Sequence, residues 1–566
     1  MPANAIEHDR YYDYETLTNL LHQIATDHSR LVKLSSIGQT FQGREIWLIE
    51  ITNPDTGLAA DKPGYYIDAH IHAEEHVTSS VALYAIDYLL TQYGHDTDVT
   101  HLVDQQVFYI FPRLNPDGAE YSLKPPYYRW VGNGRYRPGE ERDYGLIPED
   151  LDGDGFMAHM RVPDPDGEWK KSEHDPRLLV QRSPAEYGGE YFRLYPEGRL
   201  MSVDDVEVTI QKPRDGNLNR NFSIGWTPEN VQYGAGEHPL SEPETQALTR
   251  FILDHPNIAG MCTYHSHGGV MLRPSMTLPD SEMHPRDLAI YQELGEAATE
   301  ITGYPTISVF EGFTPDKSKP RRGGFEDFTY ETLGIVTMGP EVWDIRREAG
   351  LTDVPYYSSY LKDETAQAKI FDWVIANCPE MGFRDWVSYD HPDLGSVEIG
   401  GMIDIWTYRN PPPQLLRDIC HKNVLFNLFH AAAAPHISIQ QLTAERLEGN
   451  LYKISAVVAN EGYLPTNLTE VAIQNEQAKP VWLELTLDNG QLEKSPKRVY
   501  VGHLSGRSQR RAPWSPFGEQ WTNSKRRVEW LIRTADMQNT LTVTAKSEKA
   551  GSHTVNSNIE NILILN

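Results

Sequence analysis

The stretch DAHIHAEEHVTSS, residues 68–80, constrains the fold most strongly, because it places three histidines and two glutamates within seven positions. Imidazole and carboxylate groups so close together are typical of a metal site. Two arrangements fit the spacing. One is H-x-x-E, with His72 and Glu75 as ligands; the other is H-x-x-E-H, the inverzincin arrangement, with His72 and His76 as ligands and Glu75 as base.

The flanking sequence places this stretch between a strand and a helix. PGYYIDAHIH is aromatic and β-branched after a Pro-Gly pair, which indicates a buried strand, and SSVALYAIDYLLTQYG has helical periodicity that ends at Gly94. Two histidines four apart bind one metal only from a shared helical face, so a strand end favours H-x-x-E. The inverzincin arrangement requires a helix that carries both His72 and His76.

Strands and helices alternate along the first part of the chain. YETLTNLLHQIATDHS has helical spacing, SSIGQTFQGREIWLIEIT predicts two short strands, and QQVFYIFPRLNPDG predicts a strand that runs into a turn. This alternation predicts an α/β fold with helices on both faces of a sheet. Functional sites in such sheets gather at the carboxyl ends of the strands.

Composition excludes several classes of partner. A formal charge of -29 and a pI near 5.1 argue against a nucleic-acid surface or an anionic membrane, since both require basic patches. The start, MPANAIEHDRYYDYETL, lacks a secretory signal pattern, and no stretch approaches 18 consecutive apolar residues. We therefore predict a soluble cytoplasmic protein. Its three scattered cysteines, Cys262, Cys378 and Cys420, suit a reducing compartment and form neither a disulfide framework nor a metal site.

At 566 residues the chain is expected to hold more than one domain. Residues 132–216 are charged, rich in Gly, Pro and Asp, and weakly periodic, which predicts a long insertion over the scaffold. Residues 381–435 are predicted to form a connecting segment with a helix. From 436 to 566 short alternating strands with turn residues predict an accessory β-sandwich domain without catalytic residues.

The insertion contains PEDLDGDGFMAHMR, in which three aspartates alternate ahead of a glycine: Asp150, Asp152 and Asp154. This pattern resembles the first half of a calcium loop, so Ca²⁺ is one hypothesis for this site. The position of the bidentate glutamate in an EF-hand is occupied by Arg161. The competing interpretation is a tight acidic turn that binds no ion.

Three segments between residues 210 and 345 place polar residues next to apolar strands: GNLNRNF, MCTYHSHGG and GPEVWD. Together with the H-x-x-E motif they resemble the zinc metallocarboxypeptidases of the carboxypeptidase A and B type, from about Tyr11 to Cys378, interrupted by the insertion. The resemblance implies a mixed twisted sheet flanked by helices over residues 1–380. It also implies release of a C-terminal residue from peptides by metal-activated water.

The resemblance assigns three ligands to one Zn²⁺ ion, namely His72, Glu75 and His265 of the H-S-x motif. Independently of the family, two imidazoles and one carboxylate leave a fourth position open for water, as in catalytic zinc sites. His70 is expected to be buried and hydrogen-bonded, in a position to support the ligands. The role of His267 stays open between lining the cleft and a purely structural position.

The resemblance also assigns the catalytic groups. Glu341 of GPEVWD is expected to act as general base toward the water and then as proton donor to the leaving amine. An arginine is expected to polarise the scissile carbonyl and stabilise the oxyanion. Arg129 is the first choice for this role, with Arg135 and Arg137 as alternatives.

Substrate recognition is predicted from the same resemblance. Asn219 and Arg220 are expected to bind the free C-terminal carboxylate through charge-assisted hydrogen bonds. Glu326 aligns with the base of the specificity pocket and predicts a preference for C-terminal Lys or Arg, unless it pairs with the arginines of the neighbouring basic run, Arg321 and Arg322.

Two departures from the family pattern are visible in the sequence. Glu74 stands where an arginine often lies, and Lys319 occupies the place of the mobile tyrosine of the digestive enzymes.

Two hypotheses from other classes remain open. A zinc amidohydrolase or deacylase on the same scaffold would act on a non-peptide amide and leave simple dipeptides uncleaved. A catalytically inactive binding protein conflicts with the presence of all three ligands and a base. The sequence does not predict an oligomeric state.

Overall fold

The computed structural model describes residues 6–135, 145–201, 208–210, 216–352, 362–509 and 523–563. The helices are α1 Tyr14–Asp27, α2 His76–Gln92, α3 Thr97–Gln105, α4 Pro116–Leu123, α5 Pro243–Asp254, α6 Pro285–Thr302, α7 Phe325–Asp327, α8 Ile345–Glu348, α9 Glu364–Asn377, α10 Pro379–Gly382, α11 Leu416–Ala432, α12 Glu470–Gln474 and α13 Ile559–Ile562. Within these residues no helix combines the length and the apolar character needed to cross a bilayer.

The strands are β1 Val32–Gln39, β2 Glu45–Ile51, β3 Gly64–Asp68, β4 Val107–Phe111, β5 Gly145–Pro148, β6 His159–Pro163, β7 Trp169–Lys171, β8 Leu179–Gln181, β9 Phe192–Pro196, β10 Gly198–Met201, β11 Ile258–Thr263, β12 Val270–Arg273, β13 Thr306–Ser308, β14 Thr337–Glu341, β15 Phe383–His391, β16 Gly395–Met402, β17 Ile437–Glu448, β18 Leu451–Asn460, β19 Val481–Leu487, β20 Gln491–Leu492, β21 Arg498–Gly502, β22 Lys525–Arg533, β23 Thr540–Ser547 and β24 Gly551–Asn558.

An eight-stranded sheet forms the centre of the molecule, in the order β1-β2-β4-β3-β11-β14-β12-β13. Its middle strands β4, β3, β11 and β14 run parallel to one another, whereas β1 and β2 are antiparallel to their neighbours. At the other edge β12 pairs antiparallel with β14 and parallel with β13. One large apolar cluster packs α1, α2, α6, α9 and α11 against one face, and a second packs α5 against the other. The prediction of a mixed α/β sheet flanked by helices is confirmed.

The H-x-x-E stretch lies at the strand-to-helix junction that the sequence predicted. β3 ends at Asp68 and α2 begins at His76, so the residues between them form a turn at the carboxyl end of the strand. The NPDG segment after β4 opens a helix rather than closing a simple turn. Asn115 accepts a hydrogen bond from the backbone N–H of Gly118, and Pro116 fits the first helical position.

The insertion is more ordered than its composition suggested. Four of its strands join β15 and β16 in a six-stranded sheet of order β15-β16-β6-β9-β7-β8, over a small apolar core that includes Met160, Ile399 and Trp406. The predicted connecting segment 381–435 therefore contains two long strands. Sequence periodicity missed this sheet because the insertion strands β6, β7, β8 and β9 span only three to five residues each and β6 pairs with β16, more than 200 residues away.

The C-terminal part forms two four-stranded sheets, β17-β18-β22-β20 and β21-β19-β23-β24, around a shared apolar core. This sandwich contacts the central domain directly. The carboxylate of Asp287 on α6 accepts hydrogen bonds from the backbone N–H groups of Glu470 and Val471 at the start of α12, and from the hydroxyl of Tyr330. The hydroxyl of Thr469 donates to the carbonyl of Gly334.

Candidate metal centre and substrate cleft

The three predicted ligands meet at the carboxyl ends of two adjacent strands. β3 and β11 run parallel with Asp68 opposite Thr263, so the chain leaves both strands at the same edge of the sheet. His72 and Glu75 lie in the turn after β3, and His265 follows β11 by two residues. The Nδ1 atom of His265 lies 3.2 Å from Nδ1 of His72 and 3.3 Å from Oε2 of Glu75, and Nδ1 of His72 lies 3.0 Å from Oε1 of Glu75.

This donor set fits a zinc ion. Two imidazole nitrogens and one carboxylate, with ligand atoms within 4.8 Å of one another, converge on a single point. Tetrahedral zinc with bonds of about 2.0–2.1 Å holds its ligand atoms roughly 3.3 Å apart, close to the distances seen here. Burial opposes ionisation of Glu75, but His72 and His265 together hold its pKa well below the ordinary value. The site is therefore suited to a cation with one position left open.

His76 does not belong to this centre. It begins α2, and its Nδ1 atom lies 3.2 Å from Nε2 of His70 while its ring packs against Trp406. Burial lowers the pKa of His76 to about 3. His70 is buried and hydrogen-bonded through Nε2 to the carbonyl of Ala73, as expected. No helix carries His72 and His76 together, so the structure does not support the inverzincin arrangement.

Glu341 ends β14 beside the ligands. The backbone N–H of His265 donates to the carbonyl of Pro340, and the N–H of Val342 donates to the carbonyl of His265, which fixes Glu341 next to this ligand. Its side chain is buried, and burial together with the nearby Glu75 raises its pKa to about 8. A buried carboxylate beside a metal centre is suited to exchanging protons with a reacting group.

Glu326 contacts the ring nitrogen of His265 that faces away from the other two ligands. Its Oε1 atom is 3.3 Å from Nε2 of His265, and the amide nitrogen of Asn219 is 3.5 Å from its other oxygen. Although burial opposes ionisation, the hydrogen bond to His265 lowers the pKa of Glu326 to about 2. The carboxylate thus holds the imidazole ring from the side opposite to Nδ1, an arrangement typical of metal-binding histidines.

A cleft of about 270 Å³ opens over the centre and is lined by all three ligands and Glu341. Asn219 and Arg220 line the same cleft from a short 3-10 turn, Leu218–Arg220. The Asn219 side chain is fixed, because its Oδ1 atom accepts a hydrogen bond of 2.7 Å from the backbone N–H of Phe325. Apolar side chains form one wall of the cleft, among them Leu272, Met276, Val309 and Phe313.

Arg129 and Arg409 bracket Glu74. The Oε1 atom of Glu74 is 3.0 Å from Nε of Arg409 and its Oε2 atom is 3.1 Å from Nε of Arg129. Arg409 lines the cleft with the ligands and Glu341, whereas Arg129 is half exposed, pairs also with Asp404, and lines a neighbouring cavity. The structure thus places Arg409, rather than Arg129, in the cleft.

Sequence reasoning missed Arg409 because it comes from the segment that was interpreted as a connection. Its neighbours attach this segment to the ligand loops. The side-chain amide of Asn410 donates a hydrogen bond of 2.8 Å to the carbonyl of Glu74 and accepts one of 2.9 Å from the backbone N–H of Val77. The hydroxyl of Ser266 donates a hydrogen bond to the carbonyl of Arg409. The sequence showed only that Glu74 stands where the family often has an arginine. Its burial, which requires a basic partner for its charge, is visible only in the fold.

Among the remaining residues named from the sequence, Arg135 is bound elsewhere and does not line the cleft. Arg135 contacts the carbonyl of Ser241 and the carboxylate of Glu242, and Arg137 lies outside the described residues. Lys319 is exposed and does not line the cleft, whereas Arg321 does.

The Asp150, Asp152 and Asp154 side chains form a tight turn. Asp150 accepts hydrogen bonds from the backbone N–H groups of Gly153 and Gly155, and Asp154 pairs with Arg384 at 2.9 Å. The three side chains can approach one another closely, but exposed acidic groups commonly do so without an ion. These contacts agree with the interpretation as an acidic turn, and nothing supports calcium.

A mixed α/β sheet with two histidines and a glutamate at its strand ends defines a protein built around a zinc site of the catalytic kind. The chain belongs to the zinc carboxypeptidase family, whose sequence profile matches residues 17–357, more than half of its length. Zinc is the metal of that family, and His72, Glu75 and His265 fit it. A second profile, for a domain of unknown function, matches residues 436–558 in the β-sandwich.

Individual relatives agree with this assignment. Human carboxypeptidase B is 31% identical over 346 residues, which are 58% of this chain and 62% of that protein. A zinc carboxypeptidase from Saccharothrix mutabilis subsp. capreolus is 32% identical over 124 residues, 22% of this chain and 28% of that protein. The chain thus spans less than two thirds of these relatives' lengths.

Two solved structures are similar to about two thirds of this chain. Carboxypeptidase A from Helicoverpa armigera is 19% identical, with a TM-score of 0.41 over 66% of this chain and 76% of that chain. Thrombin activatable fibrinolysis inhibitor (TAFI) is 18% identical, with a TM-score of 0.42 over 66% of this chain and 79% of that chain. At these values the overlap carries no argument of its own, and the fold is defined by the strand order of this chain.

Proposed function

We propose that this protein is a zinc-dependent carboxypeptidase that hydrolyses the C-terminal peptide bond of peptides. The observation that carries the proposal is one cleft that contains the His72, Glu75 and His265 centre, the buried Glu341 carboxylate, and the Asn219–Arg220 pair. Membership of the zinc carboxypeptidase family supports a peptide over a non-peptide amide as substrate.

Different residues of the cleft are proposed to bind the substrate and to transfer protons. Arg220 supplies a guanidinium and Asn219 a fixed amide, the groups that recognise a free carboxylate by charge-assisted hydrogen bonds. Bound zinc would polarise the scissile carbonyl and lower the pKa of a water molecule. Glu341 accepts the proton of the attacking water and delivers it to the nitrogen of the departing amino acid.

Arg409 is the cation placed to stabilise charge on the scissile carbonyl oxygen. It lines the cleft beside Glu341, and its positive charge opposes the burial that raises the pKa of Glu341. Its ion pair with the buried Glu74 holds the guanidinium in position, which reduces the reorganisation needed during the reaction. We assign to Arg409 the role that the sequence suggested for Arg129.

Glu326 has two proposed roles that predict different substrates. As the base of the specificity pocket it would select C-terminal Lys or Arg. Its contact with His265 instead makes it the partner that orients a metal ligand. In the second case the apolar wall beside it would select an apolar C-terminal residue, and we favour this role because the Glu326 charge already faces the imidazole.

The test uses acetylated dipeptides that end in Lys, Phe or Glu, each with a free carboxylate and as the C-terminal amide. We expect release of the last amino acid from free-carboxylate substrates, its loss on chelation, and its return with one zinc per chain. Comparable cleavage of the amides would contradict the carboxylate-binding role of Asn219 and Arg220. Retention of zinc without cleavage of any dipeptide would favour the amidohydrolase or deacylase alternative.

A further inference from the structure

A second cavity, of about 380 Å³, lies next to the catalytic cleft and is assigned to no step above. Its walls come from the insertion and from the strands that pair with it. Trp169 and Leu179 come from β7 and β8, and Phe383, Trp386 and Met402 come from β15 and β16. These strands belong to the six-stranded sheet, and β15 and β16 follow the end of the family match at residue 357.

The residues that line the two cavities contact each other at two points. Glu74 and Ser266 line the cleft, whereas Arg129 and His267 line the second cavity. Glu74 contacts Arg129 at 3.1 Å, and Ser266 is bonded to His267 in the chain. The linings of the two cavities therefore adjoin at these residues, which places the second cavity within reach of an extended chain that leaves the cleft.

The position of the carboxylate-binding pair sets the direction of the substrate. Asn219, Arg220 and the apolar wall line the cleft and are absent from the lining of the second cavity, so they hold the C-terminal residue on the cleft side of the metal. Glu74 lines the cleft with the metal ligands and contacts Arg129 of the second cavity. Residues on the N-terminal side of the scissile bond would then extend toward this cavity.

We propose that the second cavity binds a large apolar or aromatic side chain of the peptide, one to three residues before the scissile bond. This inference rests on the proposed function. Two tryptophans and a phenylalanine among the lining residues offer broad apolar surfaces, and a volume of this size is ordinary for a ligand site. Together the insertion and the strands β15 and β16 thereby favour peptides longer than a dipeptide over dipeptides.

The test compares an acetylated dipeptide with acetylated tetrapeptides of the same C-terminal residue, carrying Phe, Ala or Asp two residues before the scissile bond. We expect kcat/KM for the Phe tetrapeptide to exceed that for the Asp tetrapeptide by about tenfold or more. Trp169→Ala is expected to reduce this ratio to below about threefold. Tyr187→Ala, at an 89% exposed position of the same insertion, should leave the ratio unchanged.

The ratio separates recognition from stability, because a poorly folded variant loses activity on all peptides and keeps their ratio. Met402→Ala, on β16, provides a second variant. Binding of the uncleaved tetrapeptides to Glu341→Gln supplies a readout that does not need turnover.

Equal kcat/KM for all tetrapeptides, or an unchanged ratio in both cavity variants, would overturn the subsite while leaving the carboxypeptidase intact. If no peptide is hydrolysed by the wild type and none binds to Glu341→Gln, the proposed function fails and the subsite fails with it.

Discussion

The Nδ1 atoms of His72 and His265 lie 3.2 Å apart, although 193 positions separate the two residues in the chain. Parallel pairing of β3 and β11 brings them together, since each histidine follows its strand at the same edge of the sheet. Glu75 completes the set from the start of α2. A site built from strand ends on a large buried sheet is rigid, which suits a metal with defined geometry.

Substitution of one ligand distinguishes the two arrangements first suggested by the sequence. His265→Gln should weaken zinc affinity by more than about 100-fold, because it removes one of three protein ligands. His76→Gln should retain one zinc per chain, which metal analysis after dialysis measures. Loss of zinc from the His76 variant, with the fold intact by circular dichroism, would restore the inverzincin arrangement.

Removal of the Glu341 carboxylate should stop proton transfer without removing the metal. We expect Glu341→Gln to lower kcat by roughly 10²–10⁴ with KM little changed. Steady-state kinetics and zinc stoichiometry check this together. Glu348→Gln, at an exposed position seven residues further along the chain, serves as the control. Near-wild-type kcat in Glu341→Gln would exclude this residue as the base.

The two arginines around Glu74 should differ in their effect on catalysis. Arg409→Ala is expected to lower kcat by about 10²–10³, since it removes a cation fixed beside the reacting bond. Arg409→Lys should recover part of the lost kcat, and Arg129→Ala should lower kcat by less than about tenfold. A larger effect for Arg129 than for Arg409 would reverse our assignment and return the role to the residue chosen from the sequence.

The choice of C-terminal residue tests the role of Glu326. If Glu326 orients His265, a substrate ending in Phe should be cleaved better than one ending in Lys, and Glu326→Gln should weaken zinc binding by about 10–100-fold. If Glu326 forms the floor of the pocket, Lys should be preferred and Glu326→Gln should reverse that preference. The kcat/KM values for the two substrates, with zinc titrations, decide between these outcomes.

Glu244 should make stability depend on pH. It is buried near Asn133, its Oε1 atom has no hydrogen-bond partner among the described residues, and burial raises its pKa to about 8 from 4.5. Because the pKa is higher in the folded state, the stability contributed by the protonated form is complete below about pH 4.5 and is lost as the pH rises through about 8.

Glu244→Gln removes this dependence, because the amide does not ionise. The variant should match the wild type near pH 5 and exceed its free energy of unfolding by roughly 2–4 kcal/mol at pH 9. Denaturant titrations at both pH values, taken as differences between variant and wild type, cancel all other titrating groups. An identical pH dependence in the two proteins would show that Glu244 is ionised throughout.

Several elements followed directly from the sequence, because their signals are local. Aromatic and β-branched runs predicted β3 and β4, and helical periodicity predicted α1 and α2. The insertion sheet escaped prediction because β6, β7, β8 and β9 span only three to five residues each, too few for a recognisable periodic signal. In addition, β6 pairs with β16 across more than 200 residues.

The sequence by itself determined the H-x-x-E spacing after a strand, which is a local pattern that a chain displays directly. Its resemblance to a known family added the later H-S-x motif and the glutamate at a strand end. Only the tertiary structure decided that Arg409 lies in the cleft, that Glu326 faces His265, and that the insertion adds a second cavity. Such facts depend on which distant segments pack together, and packing between distant segments leaves no periodic trace in one sequence.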